Sequence, residues 1–377
     1  MTCNKKLQAL IAAVPLLLLS TIVSAQSNVK VIYSFAGVPD GRGAYGGVVA
    51  DQAGNLYGTT AQGGTYDCGT VYKLDSTTGQ ETIFHSFNCQ DGFYPWDGVY
   101  RDAAGNLYGT TWEGGTSNVG TVFKVDASGN FTLLHSFSGP DGDSPYSNVI
   151  GDAAGNLYGT TTGGGAYGDG TVFRIDQAGN ETVIYSFSGP DGAAPDAGLI
   201  QDSEGNFYGT TTDGGDFGFG TVFRLGRDGT ETVLYSFKGN PDGQAPSCSL
   251  IRDKAGNFYG TTGIGGGSYD GTVFKLDTHE NETVLHSFQG SPDGQSSFAG
   301  LIRDSAGSLY GTTEYGGLSG SGTVFKIDPT GKETVYSFTG TSVANPYSGL
   351  LRRGGSFFGT SSNGGAYGQG AIYKITP

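Results

Sequence analysis

The sequence predicts an all-β protein, a seven-bladed β-propeller with four antiparallel strands per blade, and three observations carry that reading. A hexapeptide recurs every fifty or so residues. Each period holds four strand-like runs separated by turn residues. The chain also opens on a lone fourth strand and closes on a blade that has only three.

The hexapeptide Asn55-Leu56-Tyr57-Gly58-Thr59-Thr60 returns at Asn106, Asn156, Asn206, Asn257 and Ser308, and degenerates to Ser356-Phe357-Phe358-Gly359-Thr360-Ser361. A fixed period of this length marks a propeller or a solenoid before any other architecture. In the fourth copy the four runs are Gly198-Leu199-Ile200, 206–211, 220–225 and 231–237. Asp202-Ser203-Glu204-Gly205-Asn206 turns between the first two, and Gly226-Arg227-Asp228-Gly229-Thr230 between the last two. Gly and Asp supply the positive φ and side-chain capping that tight hairpins need. The fourth run, Val233-Leu234-Tyr235-Ser236-Phe237, is apolar on both faces, as a blade between two neighbours requires.

The ends choose between a ring and an open stack. Residues 29–35 form the lone strand, and they are expected to complete the last blade beside 371–375, which closes seven blades and leaves no strand over. The composition agrees: 69 Gly with 22 Tyr and 22 Phe suits short aromatic strands and tight turns, and penalises helices.

Residues 1–25 read as a signal peptide, with Lys5 and Lys6 before an apolar stretch and Val23-Ser24-Ala25 before the cut; 26–377 are then one propeller domain. An uncleaved anchor is the alternative, disfavoured by the short apolar run broken at Pro15. The expected location is secreted or periplasmic. The formal charge of −15 becomes −17 once the two lysines leave, because the leader carries no acid. Such a surface repels phosphate backbones and anionic bilayers, so neither nucleic acid nor, after cleavage, a membrane is an expected partner.

The run Asp-x-x-Gly-Asn-Leu-Tyr-Gly-Thr-Thr, then Gly-Gly, then Gly-Thr-Val-Phe-Lys resembles the tandem repeat of the GloVer-containing "choice-of-anchor" secreted proteins of bacteria, over nearly the whole mature chain. That resemblance implies a propeller without an assigned activity. It also implies a C-terminal anchor in many members, which is not expected after Thr376-Pro377. Looser similarity to kelch, NHL and SMP-30-type propellers is one of fold alone.

Cys68 and Cys89 flank one hairpin at equal distance from its turn near Thr78-Gly79, and are expected to form a disulfide. A one-residue bulge would shift that register. Cys248 stands where other blades place a small residue, and reads as buried packing. His85, His135 and His286 occupy the position of Tyr33, Tyr185, Tyr235 and Tyr336, so that position reads as packing too. His279 falls in a turn, and no metal cluster or catalytic triad is apparent in the sequence.

Asp51, Asp102, Asp152, Asp202, Asp253 and Asp304 are expected to cap their turns. Asp40, Asp91, Asp141, Asp191, Asp242 and Asp293 begin the loop into the next blade, again as caps. No cofactor is expected, with calcium on this second set as the alternative, because carboxylates and carbonyls on one face offer hard oxygen ligands.

Just before the innermost strands stand Tyr45, Trp96, Tyr146, Asp196, Ser247, Phe298 and Tyr347. The Gly-rich loops of the same face add Tyr66, Trp112, Tyr167, Phe217, Tyr269, Tyr315 and Tyr367. Rings beside acids at a channel mouth suit stacking on sugars or gripping a peptide, and equally suit filling gaps between blades. The first functional expectation is a monomeric binding module for a carbohydrate or a peptide or protein ligand, on a rim of Tyr45, Trp96, Trp112, Tyr146, Asp196, Phe298 and Tyr347, with no catalytic residue. The alternative is an enzyme acting on a glycan or lactone through Asp143, Asp196 or Glu113.

Overall fold

A computed structural model describes residues 23–24 and 28–376. Seven four-stranded antiparallel sheets follow one another in chain order. In blade one they are, from the axis outward, Val49–Ala50, Leu56–Thr60, Thr70–Leu74 and Glu81–Ser86. The last blade holds Leu351–Arg353, Ser356–Ser361 and Ala371–Thr376, and takes Asn28–Ser34 as its outer strand. The ring is therefore closed by its own first strand, as the sequence predicts. Of the leader expected over 1–25, Val23–Ser24 alone is described, parallel to Thr334 and Val335 on the outer edge of blade six; the rest lies outside the described residues.

The hexapeptide explains why the blades pack. Its Gly lies under the ring of the third strand: a Cβ on Gly159 would sit 2.6 Å from the Phe173 ring, and one on Gly359 would sit 2.5 Å from the Tyr373 hydroxyl. That ring meets, edge to face, the Phe that ends the preceding blade's outer strand. Phe137–Phe173, Phe187–Phe223 and Phe237–Phe274 each lie 5.1 Å apart, and Phe338–Tyr373 closes the series at 5.0 Å. All of these rings are buried, so each junction gains apolar area and edge-to-face contact together.

The two threonines tie the sheet polar-side in. The first donates across the junction: Thr59 to the Asp97 carbonyl at 2.7 Å, Thr110 to Ser147 at 2.8 Å, and finally Thr360 to Gly46 at 2.9 Å, which links blade seven to blade one. The second pairs with the third strand's Thr, as Thr60 with Thr70 at 2.7 Å. Buried hydroxyls need partners, and every one of these has its own. Ring closure is reinforced by Arg353, which donates to the carbonyls of Asp51 and Gln52 at 2.9 Å each.

The Asp-x-x-Gly-Asn turns are capped as predicted. Asp51 accepts from the backbone N–H of Gly54 and Asn55 at 2.8 and 2.9 Å, from the Asn55 amide at 2.8 Å and from the Tyr57 hydroxyl at 3.0 Å. Burial opposes ionisation of this carboxyl, but the hydrogen bonds from Asn55, Tyr57 and the backbone win and hold it below the usual range.

Candidate functional site

Each connector between blades lies antiparallel to the Gly-Gly loop of the blade it enters, as Gly41–Arg42 against Gln62–Gly63 and Gly294–Gln295 against Tyr315–Gly316. These pairs place connectors and loops on one face and aim the residue before each innermost strand at the axis. Tyr45, Trp96, Tyr146, Asp196, Ser247, Phe298 and Tyr347 thereby line one cavity of 310 Å³ around the channel mouth.

The rings do not stand apart as a rim. Tyr45 packs on Trp96 at 4.2 Å and edge-on to Tyr347 at 5.8 Å; Trp96 stacks on Tyr146 at 5.8 Å; Phe298 stacks on Tyr347 at 5.1 Å. The hydroxyls of Tyr146 and Tyr347 meet across the axis at 3.0 Å. That chord divides the mouth. On one side stand Tyr45 and Trp96, backed by Trp112 edge-on to Trp96 at 6.3 Å. On the other side Asp196 and Ser247 interrupt the aromatics between Tyr146 and Phe298, and residues of both sides line the same cavity. The rings pack on one another and at the same time line the cavity.

The cavity is polar where the rings stop. Burial lifts the Asp196 carboxyl to about 7, with Asp213 adding to the rise and a hydrogen bond from Thr212 opposing it. Ser247 Oγ is buried and lacks a partner within the protein, as does the indole Nε1 of Trp96. The other carboxylate of the cavity, Asp97, is occupied: its oxygens accept from the backbone N–H of Gly98 at 2.6 Å and Asn148 at 3.0 Å. Asp143 and Glu113 lie outside the cavity lining, in connector–loop pairs with Gly163 and Phe93. Of the three acids nominated for an enzyme, then, only Asp196 reaches the channel.

The model of the Gloeobacter/Verrucomicrobia repeat matches residues 18–204 and again 179–373. The chain belongs to this family. A comparison with curated proteins finds no match. Among solved structures, this Gloeobacter/Verrucomicrobia-repeat protein is similar to the extracellular domain assigned to a one-component system of B. thetaiotaomicron, with a TM-score of 0.59 and 14% identity over 94% of this chain and 42% of that one. It is also similar to a protein from Bacteroides uniformis assigned as a 6-phosphogluconolactonase, with a TM-score of 0.54 and 15% identity over 82% and 89% of the two chains. At these identities the likeness shows the propeller fold and transfers no chemistry.

Two further features of the Gloeobacter/Verrucomicrobia-repeat chain concern its junctions. Cys68 and Cys89 form a disulfide with their Cα atoms 5.3 Å apart, although a bulge at Val71/Tyr72 shifts the hairpin register. The bulge moves the register by one residue toward Cys89, and the two cysteines meet just beyond the last paired residues, Thr70 and Ser86, with Cys89 in a left-handed conformation. Cys248 is buried, accepts the Thr261 N–H at 3.0 Å, and has its thiol pushed up by burial, which fits packing and not nucleophilic chemistry.

The second set of aspartates does more than cap. Asp40 accepts from Tyr33 at 3.1 Å, Asp242 from Tyr235 at 2.9 Å, and Asp191 from Tyr185. His85, His135 and His286 face Asp91, Asp141 and Asp293 at 3.1, 3.0 and 3.2 Å. A third residue arrives from the next blade's outer strand. Burial and the facing aspartate raise Glu81 to about 8 and Glu181, Glu231 and Glu282 to about 7. His135, Asp141 and Glu181 come together in this way, as do His286, Asp293 and Glu333. Sequence reasoning missed both clusters because the glutamate lies almost a full repeat downstream of its partners. The signal was present: an Asp in the connector and a Glu opening the next outer strand.

Proposed function

We propose that the protein is an extracytoplasmic binding module that takes a carbohydrate in the cavity at the channel mouth. The observation that carries this reading is the interruption of an otherwise aromatic ring by Asp196 and Ser247, which sets an acid and an unpartnered hydroxyl between ring faces. Sugars present both apolar faces and hydroxyl donors, and that combination matches such a lining. Exposed Tyr66, Tyr167, Phe217 and Tyr367 on the Gly-rich loops extend the same kind of surface outward. The disulfide fits an oxidising compartment, secreted or periplasmic.

A hydrolytic reading is less well supported, because glycoside hydrolysis by acid and base needs two available carboxyls and the oxygens of Asp97 are already engaged. A peptide ligand is the remaining competitor. Glycan-array binding of the wild-type chain, lost in Asp196→Ala and in Phe298→Ala, is the expected outcome. Binding that survives both removes the aromatic mouth from consideration. Turnover of a glycan or lactone that Asp196→Asn abolishes would replace the binding reading with an enzymatic one.

A further inference from the structure

Burying two carboxyls side by side is costly unless something neutralises them, and a proton or a cation is what can do so. The blade junctions offer a natural comparison. Where the position before the connector is Tyr, as in Tyr33–Asp40–Glu81 and Tyr235–Asp242–Glu282, the phenol donates to the aspartate and offers no ligand of its own at neutral pH. A proton on the glutamate suffices there. Where it is His, a neutral imidazole presents a lone pair beside the two acids.

At the junction of blades five and six the His286 Nε2 lies 3.2 Å from Asp293 Oδ2 and 3.4 Å from Glu333 Oε1. Ligands around a single ion with bonds of about 2.1 Å stand about 3.0 to 3.4 Å apart, for right-angled and tetrahedral arrangements respectively. Asp293 is 1% exposed and Glu333 4% exposed; the Asp293 oxygens each accept one backbone N–H, from Gly294 at 2.7 Å and Gln289 at 3.0 Å, which leaves a second lone pair on each, and neither oxygen of Glu333 has a hydrogen-bond partner. Glu333 is a buried carboxyl with neither oxygen hydrogen-bonded, set against a histidine nitrogen and a second carboxyl, an arrangement that a proton or a cation can neutralise.

We propose that His286, Asp293 and Glu333 bind a divalent first-row transition ion, zinc by preference, which staples blade five to blade six. One nitrogen and two carboxylate oxygens suit zinc better than calcium, which takes six to eight oxygens. His135, Asp141 and Glu181 repeat the set between blades two and three in a half-exposed setting, and form a second, weaker site. The junction of blades one and two supplies the negative control within the same chain. His85 faces Asp91 there, but Phe131 replaces the glutamate and stacks on the imidazole at 3.7 Å.

The test uses the full chain, stripped with chelator, dialysed against zinc chloride and assayed for bound metal. Substitution by Tyr is the informative change, because Tyr fills this position in three other blades that keep the aspartate. The wild type is expected to retain two equivalents of zinc. His286→Tyr and His135→Tyr each lose one, and His85→Tyr loses none. Glu333→Gln should weaken the tighter site by about 100-fold or more, at or beyond the top of the range produced by losing an outer-shell partner. Zinc should also raise the midpoint of thermal unfolding in the wild type and not in the His286→Tyr, His135→Tyr double variant. A wild type that emerges metal-free overturns the proposal and leaves a proton as the neutraliser. So does a folded His286→Tyr chain that retains as much zinc as the wild type.

Discussion

The two arcs of the channel mouth are built on the same backbone and differ in what stands before the innermost strand. From Tyr347 through Tyr45 and Trp96 to Tyr146 the rings pack on one another without a break. From Tyr146 through Asp196 and Ser247 to Phe298 the same positions hold a carboxyl and an unpartnered hydroxyl in place of rings. A repeat fixes where a side chain points. It does not fix whether that side chain packs or waits for a ligand, and the departures from the repeat make that choice.

Substitution on the two arcs should separate these roles, beginning with the largest effect. Trp96→Ala removes a ring that touches both Tyr45 and Tyr146, and is expected to cost about 3 kcal/mol, as for large-to-small changes among packed rings; urea unfolding measures it. A loss below ~1 kcal/mol would make the aromatic arc a surface and erase the contrast. Crossing the chord should cost less: Tyr146→Phe removes the hydrogen bond to Tyr347 and should lower stability by ~1 kcal/mol in the same assay.

The interrupted arc should respond in pH dependence and binding more than in stability. Asp196 titrates at about 7 when folded, above its ordinary 3.8, because burial disfavours the anion. Between those two values the folded chain holds a proton that the unfolded chain has released. The contribution of Asp196 is therefore fully present below about pH 4 and lost as pH rises through 7. Asp196→Asn should leave stability nearly unchanged at pH 4 and raise it relative to wild type by pH 8, read as the difference in thermal midpoints. A difference that does not grow with pH would place Asp196 in water. Ser247→Tyr, which restores the aromatic character of the ring, should change stability by less than ~1 kcal/mol and abolish ligand binding.

The architecture was legible in the sequence because a propeller repeats its own evidence. The hexapeptide, the Asp-capped turn and the lone first strand each follow from short-range chemistry, and all three are found as expected. The mouth was legible as a set of positions but not as two arcs. The chord from Tyr146 to Tyr347 joins connectors 201 residues apart, and no periodicity encodes which rings will meet across an axis. The His–Asp–Glu clusters were hidden for a related reason. Tyr and His alternate at one position as though equivalent, and the residue supplied by the following blade, Glu181 or Glu333 against Phe131, separates the two complete His clusters from the His85 junction.

The seam that joins the two ends also has a history in time. Asn28–Ser34 leaves the ribosome first, yet its partner Ala371–Thr376 is made last, so the strand must wait for nearly the whole chain. Pairings so distant in sequence are slow to form, and blade seven carries a bare edge until they do. At the junction of blades six and seven Ser342 stands where other connectors hold Asp, and Val29 where every other outer strand but that of blade two, which has Phe131, opens on Glu. The junction of blades six and seven therefore lacks the pair of carboxyls found at the others except that of blades one and two, and the acids nearest the seam are Asp40 and Glu81, on the blade-one side of the closing strand.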